Sequence, residues 1–432
     1  MKINDKVSVI TLGCSKNTVD SERLMKQLVL NDCRLIDDPN SADTVIINTC
    51  GFIEDAKKES IDTILKAVGL KKNGKIKKVI VAGCLSERYS SELQIEIPEV
   101  DVFFGTENYE GIVKELGGEL KYELLGERVL TTPSHSAYLK ISEGCDHPCS
   151  FCAIPLMRGK NHSVQIDSLI KETEFLARNN TKELIIIGQD TTDYGKDIYD
   201  KRNLAELLTK LSEVDGIEWI RLMYAYPSHF PDDVIEVLAN NPKVLPYLDI
   251  PLQHISDDVL KSMRRGISSR KTKELIKRLK ENIPQLAIRT TFIVGYPAET
   301  QKDFQELCDF VEETQFDRVG VFAFSIEENT TSYLLGDPIS KHQKENRKQK
   351  LMEIQKNISL AKNQNLVGTE LQLLVEGIEG NYYVARSYRD APEVDGEVLI
   401  PKNSLHISPG NFYMGKIYDC NEYDLFANLI NK

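Results

Sequence analysis

The sequence predicts an α/β protein with an N-terminal parallel-sheet α/β domain, a partial (β/α)6 barrel and a small C-terminal all-β barrel. Three observations predict this architecture. Short apolar runs alternate with helix-like stretches up to about residue 116, six further strand-like runs are separated by helical segments between residues 137 and 328, and five short strands crowd into the C-terminal region. Strands that alternate with helices indicate βαβ units and a parallel sheet, whereas consecutive short strands indicate an all-β barrel.

The first domain is expected to span residues 1–120. Its strands are predicted from the apolar runs at residues 7–11, 44–48 and 79–82. Helices are predicted for the polar, helix-like segments at residues 21–30 and 54–70. Residues 117–136 contain two adjacent glycines and a Thr-Thr-Pro-Ser run, a composition that predicts a linker.

The second domain is expected to span residues 135–362. Its six strand-like runs are residues 138–141, 184–187, 220–225, 247–251, 288–294 and 319–324. Six β/α units suit a partial barrel better than a closed eight-unit one, and in such folds the functional site lies at the C-terminal ends of the strands. A charged helical segment at residues 341–362 completes the domain, and its interleaved acidic residues favour a solvated connector over a nucleic-acid patch.

The third domain is expected to span residues 366–432. Five short strands are predicted there, at residues 371–376, 382–386, 397–400, 414–417 and 425–429. So many strands in so short a segment predict a small barrel of the OB-like kind.

Composition narrows the class of protein. The chain has 432 residues, 41% of them hydrophobic and 28% charged, with a net charge of −12. Such a charge argues against a protein that grips phosphate backbone over a wide surface. No targeting or membrane-spanning segment is visible, so we expect a cytoplasmic protein without a membrane partner. In that reducing compartment, nine cysteines favour metal or redox chemistry over a disulfide framework.

The clearest chemical signal is a trio of cysteines that follows the first strand of the second domain. Cys145, Cys149 and Cys152 lie within eight residues. Three closely spaced thiolates can hold an iron–sulfur cube while leaving a fourth iron open for a substrate or cofactor. The alternatives are a zinc site or chance clustering. Zinc would favour a fourth protein ligand, and His147 lies awkwardly inside the same loop.

A second trio, Cys14, Cys50 and Cys84, is dispersed in the sequence. Each of these cysteines directly follows a predicted strand of the first domain. If those strands are parallel neighbours, their ends share one edge of the sheet, which is where open α/β sheets bind ligands. We therefore predict a second cluster site, the alternative being small buried residues that simply end buried strands. The remaining cysteines lack partners at ligand spacing and are interpreted as structural or incidental, namely Cys33, Cys308 and Cys420.

The CxxxCxxC spacing, with Phe151 before its last cysteine, resembles the signature of the radical S-adenosylmethionine (SAM) superfamily. That resemblance implies that SAM chelates the open iron and is cleaved by electron transfer to a 5′-deoxyadenosyl radical. It also implies a six-unit barrel, in agreement with the predicted fold. By motif resemblance, Phe151, Ile293 and Gly295 are candidate SAM contacts. A glycine at position 295 is equally explained by a turn of the barrel.

Across its whole length the chain is similar to the methylthiotransferase family. The similar segments are LGCSKN at residues 12–17, NTCGFI at 48–53, FCAIP at 151–155, PLQH at 251–254 and MRRG at 263–266. The C-terminal domain resembles a TRAM domain. Membership would imply two 4Fe–4S clusters and SAM as cofactors, with the six cysteines named above as cluster ligands. It would also imply an electron donor such as flavodoxin or ferredoxin.

Two branches of that family differ in substrate. One methylthiolates isopentenyl-adenosine in tRNA, and the other, the RimO type, methylthiolates the β-carbon of an aspartate in the twelfth protein of the small ribosomal subunit. The segments GQDTT at 188–192 and DAPEVDG at 390–396 resemble the RimO type. Residues 366–432 also contain ten acidic and five basic residues, which suits a basic ribosomal protein better than tRNA, although such a surface also serves solubility. A non-catalytic iron–sulfur scaffold or electron carrier is the alternative from a different class.

Overall fold

The computed structural model describes residues 5–402 and 407–430. In the N-terminal domain, five parallel strands are arranged in the order β2-β1-β3-β4-β5. These elements are β1 (Lys6–Thr11), α1 (Ser15–Leu30), β2 (Arg34–Leu35), β3 (Thr44–Thr49), α2 (Glu54–Lys72), β4 (Lys78–Gly83), α3 (Cys84–Glu96), β5 (Val102–Phe103) and α4 (Tyr109–Glu115). Every residue of β3 is buried because helices cover both faces of the sheet, as parallel sheets require. The three predicted strands are confirmed.

The register of these strands decides where the chain leaves the sheet. Thr11 on β1 is opposite Asn48 on β3, and Thr49 on β3 is opposite Gly83 on β4. The C-terminal ends of the three strands are therefore level. The residues that follow them are brought to one edge.

The middle domain contains a six-stranded parallel sheet in the order β13-β12-β11-β10-β9-β6. Its elements are β6 (Ser136–Lys140), β7 (Ser142–Glu143), α5 (Ile154–Arg158), β8 (His162–Ser163), α6 (Ile166–Arg178), β9 (Glu183–Ile187), α7 (Leu204–Ser212), β10 (Trp219–Leu222), α8 (Asp232–Asn240), β11 (Val244–Asp249), α9 (Asp257–Ser262), α10 (Ser269–Asn282), β12 (Ala287–Val294), α11 (Gln301–Thr314), β13 (Arg318–Ala323) and α12 (Lys341–Gln364). The sheet is open, which confirms the predicted partial barrel.

The two faces of this sheet carry buried side chains of different chemical character. The outer face packs against the surrounding helices through aliphatic side chains such as Leu139, Ile186 and Leu248. The inner face also carries charged side chains, among them Glu183 and Arg221, both fully buried. Charges buried in this way must be paired: Arg221 pairs with Glu183 at 2.8 Å, and further partners of both side chains come from the C-terminal domain.

The C-terminal domain is a closed five-stranded barrel in the order β14-β15-β16-β18-β17. Its strands are β14 (Glu370–Glu379), β15 (Tyr382–Arg386), β16 (Val398–Pro401), β17 (Phe412–Cys420) and β18 (Leu425–Leu429). Closure leaves no unpaired edge, and alternate side chains such as Leu373, Val375 and Val398 fill the interior. All five predicted strands are confirmed.

The connection between β15 and β16 packs into the inner face of the middle sheet. Arg386 Nη2 lies 2.5 Å from Glu183 Oε2, and Tyr247 donates a hydrogen bond of 2.7 Å to Asp395 Oδ2. Arg318 pairs with the buried Asp390 at 2.6 Å. The acidic surface expected of this domain is therefore smaller than its composition suggests, because three of the ten carboxylates, those of Asp390, Asp395 and Glu376, pair with arginines.

Two connecting segments also differ from expectation. The segment before β6, predicted as a linker, contributes the buried Arg128, which pairs at 3.1 Å with both Glu22 and Glu172. Helix α12 packs one face against β13, burying Leu351 and Ile358, while its basic residues Lys341 and Lys350 remain exposed. Within the ranges described, we find no helix that is both long and apolar enough to cross a lipid bilayer.

Candidate active site

Cys14, Cys50 and Cys84, the strand-end trio, lie at the C-terminal edge of the N-terminal sheet, where the ends of its strands are level. Cys14 follows β1 at the start of α1, Cys50 follows β3, and Cys84 begins α3 directly after β4. Cys14 is exposed, whereas Cys50 and Cys84 are buried. The sheet thus brings together three thiols that are far apart in the sequence, with one of them open to solvent.

Glycines let the chain turn sharply beside these thiols. Gly13 adopts φ +90°, and a Cβ placed on it would lie 2.7 Å from the Cβ and 2.9 Å from the Sγ of Cys50. Gly83 has φ +95° just before Cys84. These backbone angles favour glycine, and a side chain at position 13 would displace Cys50.

Gly13→Ala is expected to lower the iron retained at this trio and to destabilise the fold by about 1–3 kcal/mol, because the added methyl group meets Cys50 in a strained backbone region. Iron analysis after anaerobic reconstitution, together with urea unfolding, measures both effects. Gly69→Ala in α2 is the matched control, since a Cβ there meets nothing within 4 Å. If the two variants had equal iron content and equal stability to urea, the proposed steric effect of a side chain at position 13 would be wrong.

Asn17, one turn into α1, organises the same edge and was not predicted from the sequence. Its side-chain amide donates to the carbonyl oxygens of Leu12 at 2.7 Å and Thr49 at 3.0 Å. These carbonyls belong to residues next to Gly13 and Cys50, and the Cys84 thiol lies 3.9 Å from Asn17 Oδ1. One fully buried asparagine therefore joins all three strand ends. The hints in the sequence are its place three residues after Cys14 and within the LGCSKN segment at residues 12–17.

Cys145, Cys149 and Cys152 lie in the loop between β7 and α5. Gly144, with φ +78°, turns the chain into this loop, and Cys145 N donates to Gly159 O at 3.1 Å. Cys152 N donates to Cys149 O at 3.2 Å. Ser150 N bonds to Met263 O at 3.0 Å, which fastens the loop to the barrel. The backbone thus holds the three thiols on one compact turn.

Polar and aromatic groups surround Cys149. Arg265 Nη1 donates to its sulfur at 3.3 Å, and the Tyr226 hydroxyl lies 3.7 Å from it. The ring of His147 stacks on Tyr226 with 3.6 Å between centroids. His147 Nε2 lies 2.6 Å from Asp190 Oδ2, so this nitrogen is engaged by a carboxylate.

The spacing of the thiols bears on the zinc alternative. Among the described residues, two groups have ligand atoms that all lie within 4.8 Å of one another, and neither contains a cysteine. A zinc ion with bonds of about 2.3 Å to sulfur would hold its ligands closer than this. A cube that carries its irons on separate corners accepts wider spacing. In neither trio do all three sulfurs lie within 4.8 Å of one another, a spacing that the separate irons of a cluster accommodate.

Burial sets the protonation of these thiols. It raises the pKa of Cys84, Cys145 and Cys152 to about 12 and also raises the pKa of Cys50. Arg158 opposes the shift at Cys84. Because thiolates are the metal-binding form, the loaded site must release protons and gain enough binding energy to overcome burial.

The predicted SAM contacts fall in two environments. Phe151 and Ile293 pack against one apolar cluster, which includes Tyr296 and Phe324, beside the cysteine loop. Gly295 instead turns toward α12 with φ +73°, where a Cβ would meet the side chain of Lys344. The turn and this packing give the glycine a structural role, and its contact with SAM stays a prediction.

The two cysteine sites adjoin one another. Cys84 packs in one apolar cluster with Ala153, which directly follows Cys152 in the chain, and with Met157 of α5. On another side, Arg88 of α3 donates to Glu327 Oε2 at 2.8 Å and to Gly51 O at 3.2 Å. The N-terminal and middle domains, which carry the two trios, are therefore in contact beside both of them.

Comparisons with protein families assign each domain separately. Residues 6–105 match the uncharacterized protein family UPF0004, residues 139–311 match the radical SAM superfamily, and residues 367–430 match the TRAM domain.

Curated relatives match almost the full length. Proteins described as ribosomal protein uS12 methylthiotransferase RimO are 50% identical in Cytophaga hutchinsonii, with 98% of each chain covered, and 51% identical in Christiangramia forsetii, with 99% of this chain and 95% of that protein covered. The relative from Chloroherpeton thalassium is 52% identical, with 98% of each covered.

Solved structures share the fold at low identity. The radical SAM methyltransferase TsrM from Kitasatospora setae has a TM-score of 0.56 at 12% identity and covers 76% of this chain and 77% of its own. The cobalamin-dependent SAM radical enzyme OxsB has a TM-score of 0.52 at 14% identity, covering 81% of this chain and 56% of its own.

Proposed function

Because the chain belongs to the RimO family of radical SAM methylthiotransferases, and is a SAM-dependent transferase, we propose that it adds a methylthio group to the β-carbon of an aspartate in ribosomal protein uS12. The observation that carries this proposal is the adjacency of two cysteine trios in different domains. A radical enzyme that only cleaves SAM needs one trio, whereas sulfur insertion calls for a second centre close by.

The proposal assigns one 4Fe–4S cluster to each trio. Cys145, Cys149 and Cys152 would hold the first, and the strand-end trio would hold the second. When bound, the clusters and SAM supply a hydrogen-abstracting radical and the methylated sulfur. Phe151, Ile293 and Gly295 remain the proposed SAM contacts. The proposed domain ranges are residues 1–120, 135–362 and 366–432.

The protein's own residues position these groups. Arg265 donates a hydrogen bond to Cys149 and would hold this ligand in one rotamer. The ring of Tyr226 stacks on His147 and supports it within the loop. The apolar surroundings of Phe151 exclude water beside the loop. The exposure of Cys14 leaves the second site open toward an incoming side chain. Because the reacting groups must meet in one geometry, such positioning contributes much of the rate.

A basic ribosomal protein remains compatible with the charge of the C-terminal barrel. Its exposed carboxylates outnumber its exposed amines among the described residues, the acidic ones being Glu370, Glu379, Glu393, Glu397 and Asp419 and the basic ones Lys402 and Lys416. Opposite charge would speed encounter with such a substrate. We place the reaction in the cytoplasm, with a flavodoxin or ferredoxin as the electron donor.

The test is anaerobic incubation of reconstituted enzyme with SAM, a reductant and purified uS12, followed by peptide mass spectrometry. We expect one aspartate of uS12 to gain a methylthio group in place of a hydrogen. The parallel reaction uses tRNA that carries isopentenyl-adenosine. Modification of tRNA alone would move the enzyme to the other branch, and failure to cleave SAM would favour an electron carrier.

A further inference from the structure

We propose that Arg158 is a positioning residue that connects the two cluster sites, holding Cys84 in place and setting the reduction potential of the second cluster. The proposal rests on the proposed function, since it requires that Cys84 is a cluster ligand. It concerns a residue of the radical SAM domain that acts on a site in another domain.

Arg158 occupies a position that suits this role. It is the last residue of α5, the helix that begins two residues after Cys152, and its side chain is only 2% exposed. Its Nε donates to Cys84 Sγ at 3.3 Å. Its Nη1 donates to Asp20 Oδ2 at 2.7 Å and to Glu143 Oε2 at 2.8 Å. A single rigid guanidinium therefore spans a thiol and two carboxylates from both domains.

The fourth contact of Arg158 links it indirectly, through Asn17, to the turns that carry the other two cysteines. Its Nη2 donates to Asn17 Oδ1. Asn17 in turn holds the carbonyls of Leu12 and Thr49, next to the turns that carry Cys14 and Cys50. A shift of α5 would therefore be transmitted to all three strand ends, which joins the geometry of one cluster site to that of the other.

A cation bonded to a ligating sulfur also has an electronic effect. Hydrogen bonds to cluster sulfurs and nearby positive charge stabilise the reduced, more negative state, which raises the reduction potential. Among the residues that the structure describes, Arg158 is the cation that donates a hydrogen bond to a sulfur of the strand-end trio. Removing its charge is thus expected to lower the potential of that cluster.

The fold can tolerate removal of this charge. Lys140 also pairs with Asp20 and with Glu143, the latter at 2.6 Å, so both carboxylates keep a cationic partner in Arg158→Gln. Arg23→Gln is the matched control. Arg23 lies on α1 with its side chain 11% exposed, and it also joins the two domains, through a 2.9 Å pair with Glu172. Within the part of the chain that the structure describes, no cysteine is among its hydrogen-bond or ion-pair partners.

The experiment compares full-length wild type, Arg158→Gln, Arg158→Lys and Arg23→Gln after anaerobic reconstitution. Iron per chain, redox titration followed by electron paramagnetic resonance, 5′-deoxyadenosine release and methylthio transfer to uS12 are measured. In Arg158→Gln we expect the second cluster to titrate at lower potential. We also expect methylthio transfer to fall by about tenfold or more, while 5′-deoxyadenosine release stays within about twofold of wild type. Arg158→Lys should recover part of the potential, and Arg23→Gln should leave it unchanged.

An unchanged potential in Arg158→Gln would overturn the proposal. So would an equal fall of both activities, or an equal shift in Arg23→Gln, since each would mean that Arg158 only supports the fold. A wild-type protein with a single cluster would instead overturn the proposed function itself, and the iron content of the unmutated chain separates the two cases.

Discussion

Replacing Cys14, Cys50 and Cys84 together by alanine is expected to abolish methylthio transfer while SAM cleavage continues. Iron per chain should fall from about eight to about four, because we propose one cube at each trio and this variant removes all the ligands of one of them. The loop that holds Cys145, Cys149 and Cys152 is fastened by its own backbone bonds and by Met263, so we expect it to keep its cluster in this variant. Iron analysis and 5′-deoxyadenosine release measure the two halves of the prediction.

The reciprocal variant sharpens the test. Alanine at Cys145, Cys149 and Cys152 should also leave about four irons but eliminate 5′-deoxyadenosine altogether. Cys420→Ala is the control, since this cysteine lies on β17 of the C-terminal barrel and should leave both iron and activity unchanged. If the first triple variant kept the iron content of the wild type, the strand-end thiols would not be ligands.

Arg386→Met is expected to cause the largest loss of stability, about 3–5 kcal/mol, because it leaves Glu183 buried with only part of its partners. Arg386 and Arg221 lie 2.5 Å and 2.8 Å from the two oxygens of this carboxylate, at the contact between the C-terminal barrel and the middle sheet. Urea unfolding followed by circular dichroism measures the change. Lys210→Met, which removes an exposed pair with Glu206, is the control and should have no measurable effect.

The same network predicts a dependence on pH. Burial alone would raise the pKa of Glu183, but Arg386 and Arg221 overcome it and lower the pKa to about 2. A carboxyl whose pKa is depressed by folding stabilises the protein above its unfolded pKa and loses this contribution as pH falls toward the folded value. Stability should therefore decline between about pH 4.5 and pH 2, and less so in Arg386→Met. A wild-type urea midpoint and wild-type acid sensitivity in the variant would contradict both expectations.

The residues of the candidate site differed in how readily the sequence predicted them. Cys145, Cys149 and Cys152 are near in sequence, so local spacing alone indicates a shared ligand. Cys14, Cys50 and Cys84 required one further step, the assumption that their strands are parallel neighbours, and the sheet order bears that assumption out. Asn17 and Arg158 could not be found in this way, because their partners lie in other strands or another domain.

The acidic residues of the C-terminal domain show what composition alone does not predict. The acidic composition of the last domain suggested a surface, yet Asp390 and Asp395 pair with Arg318 and Arg289 inside the protein. A count of charges does not distinguish a solvated carboxylate from one that neutralises a buried arginine. Burial of these carboxylates depends on which domains pack together, and the hydrophobic periodicity of a single segment does not predict that packing.

By itself, the amino-acid sequence determined the three-part α/β architecture, the open six-stranded barrel and the two groups of thiols, because hydrophobic period, turn residues and cysteine spacing are local properties. Only the tertiary structure decided that the two groups adjoin, that Gly295 turns against α12, and that Arg158 lies on Cys84. These facts arise from contacts between segments far apart in the chain, and such contacts exist only after the domains have packed.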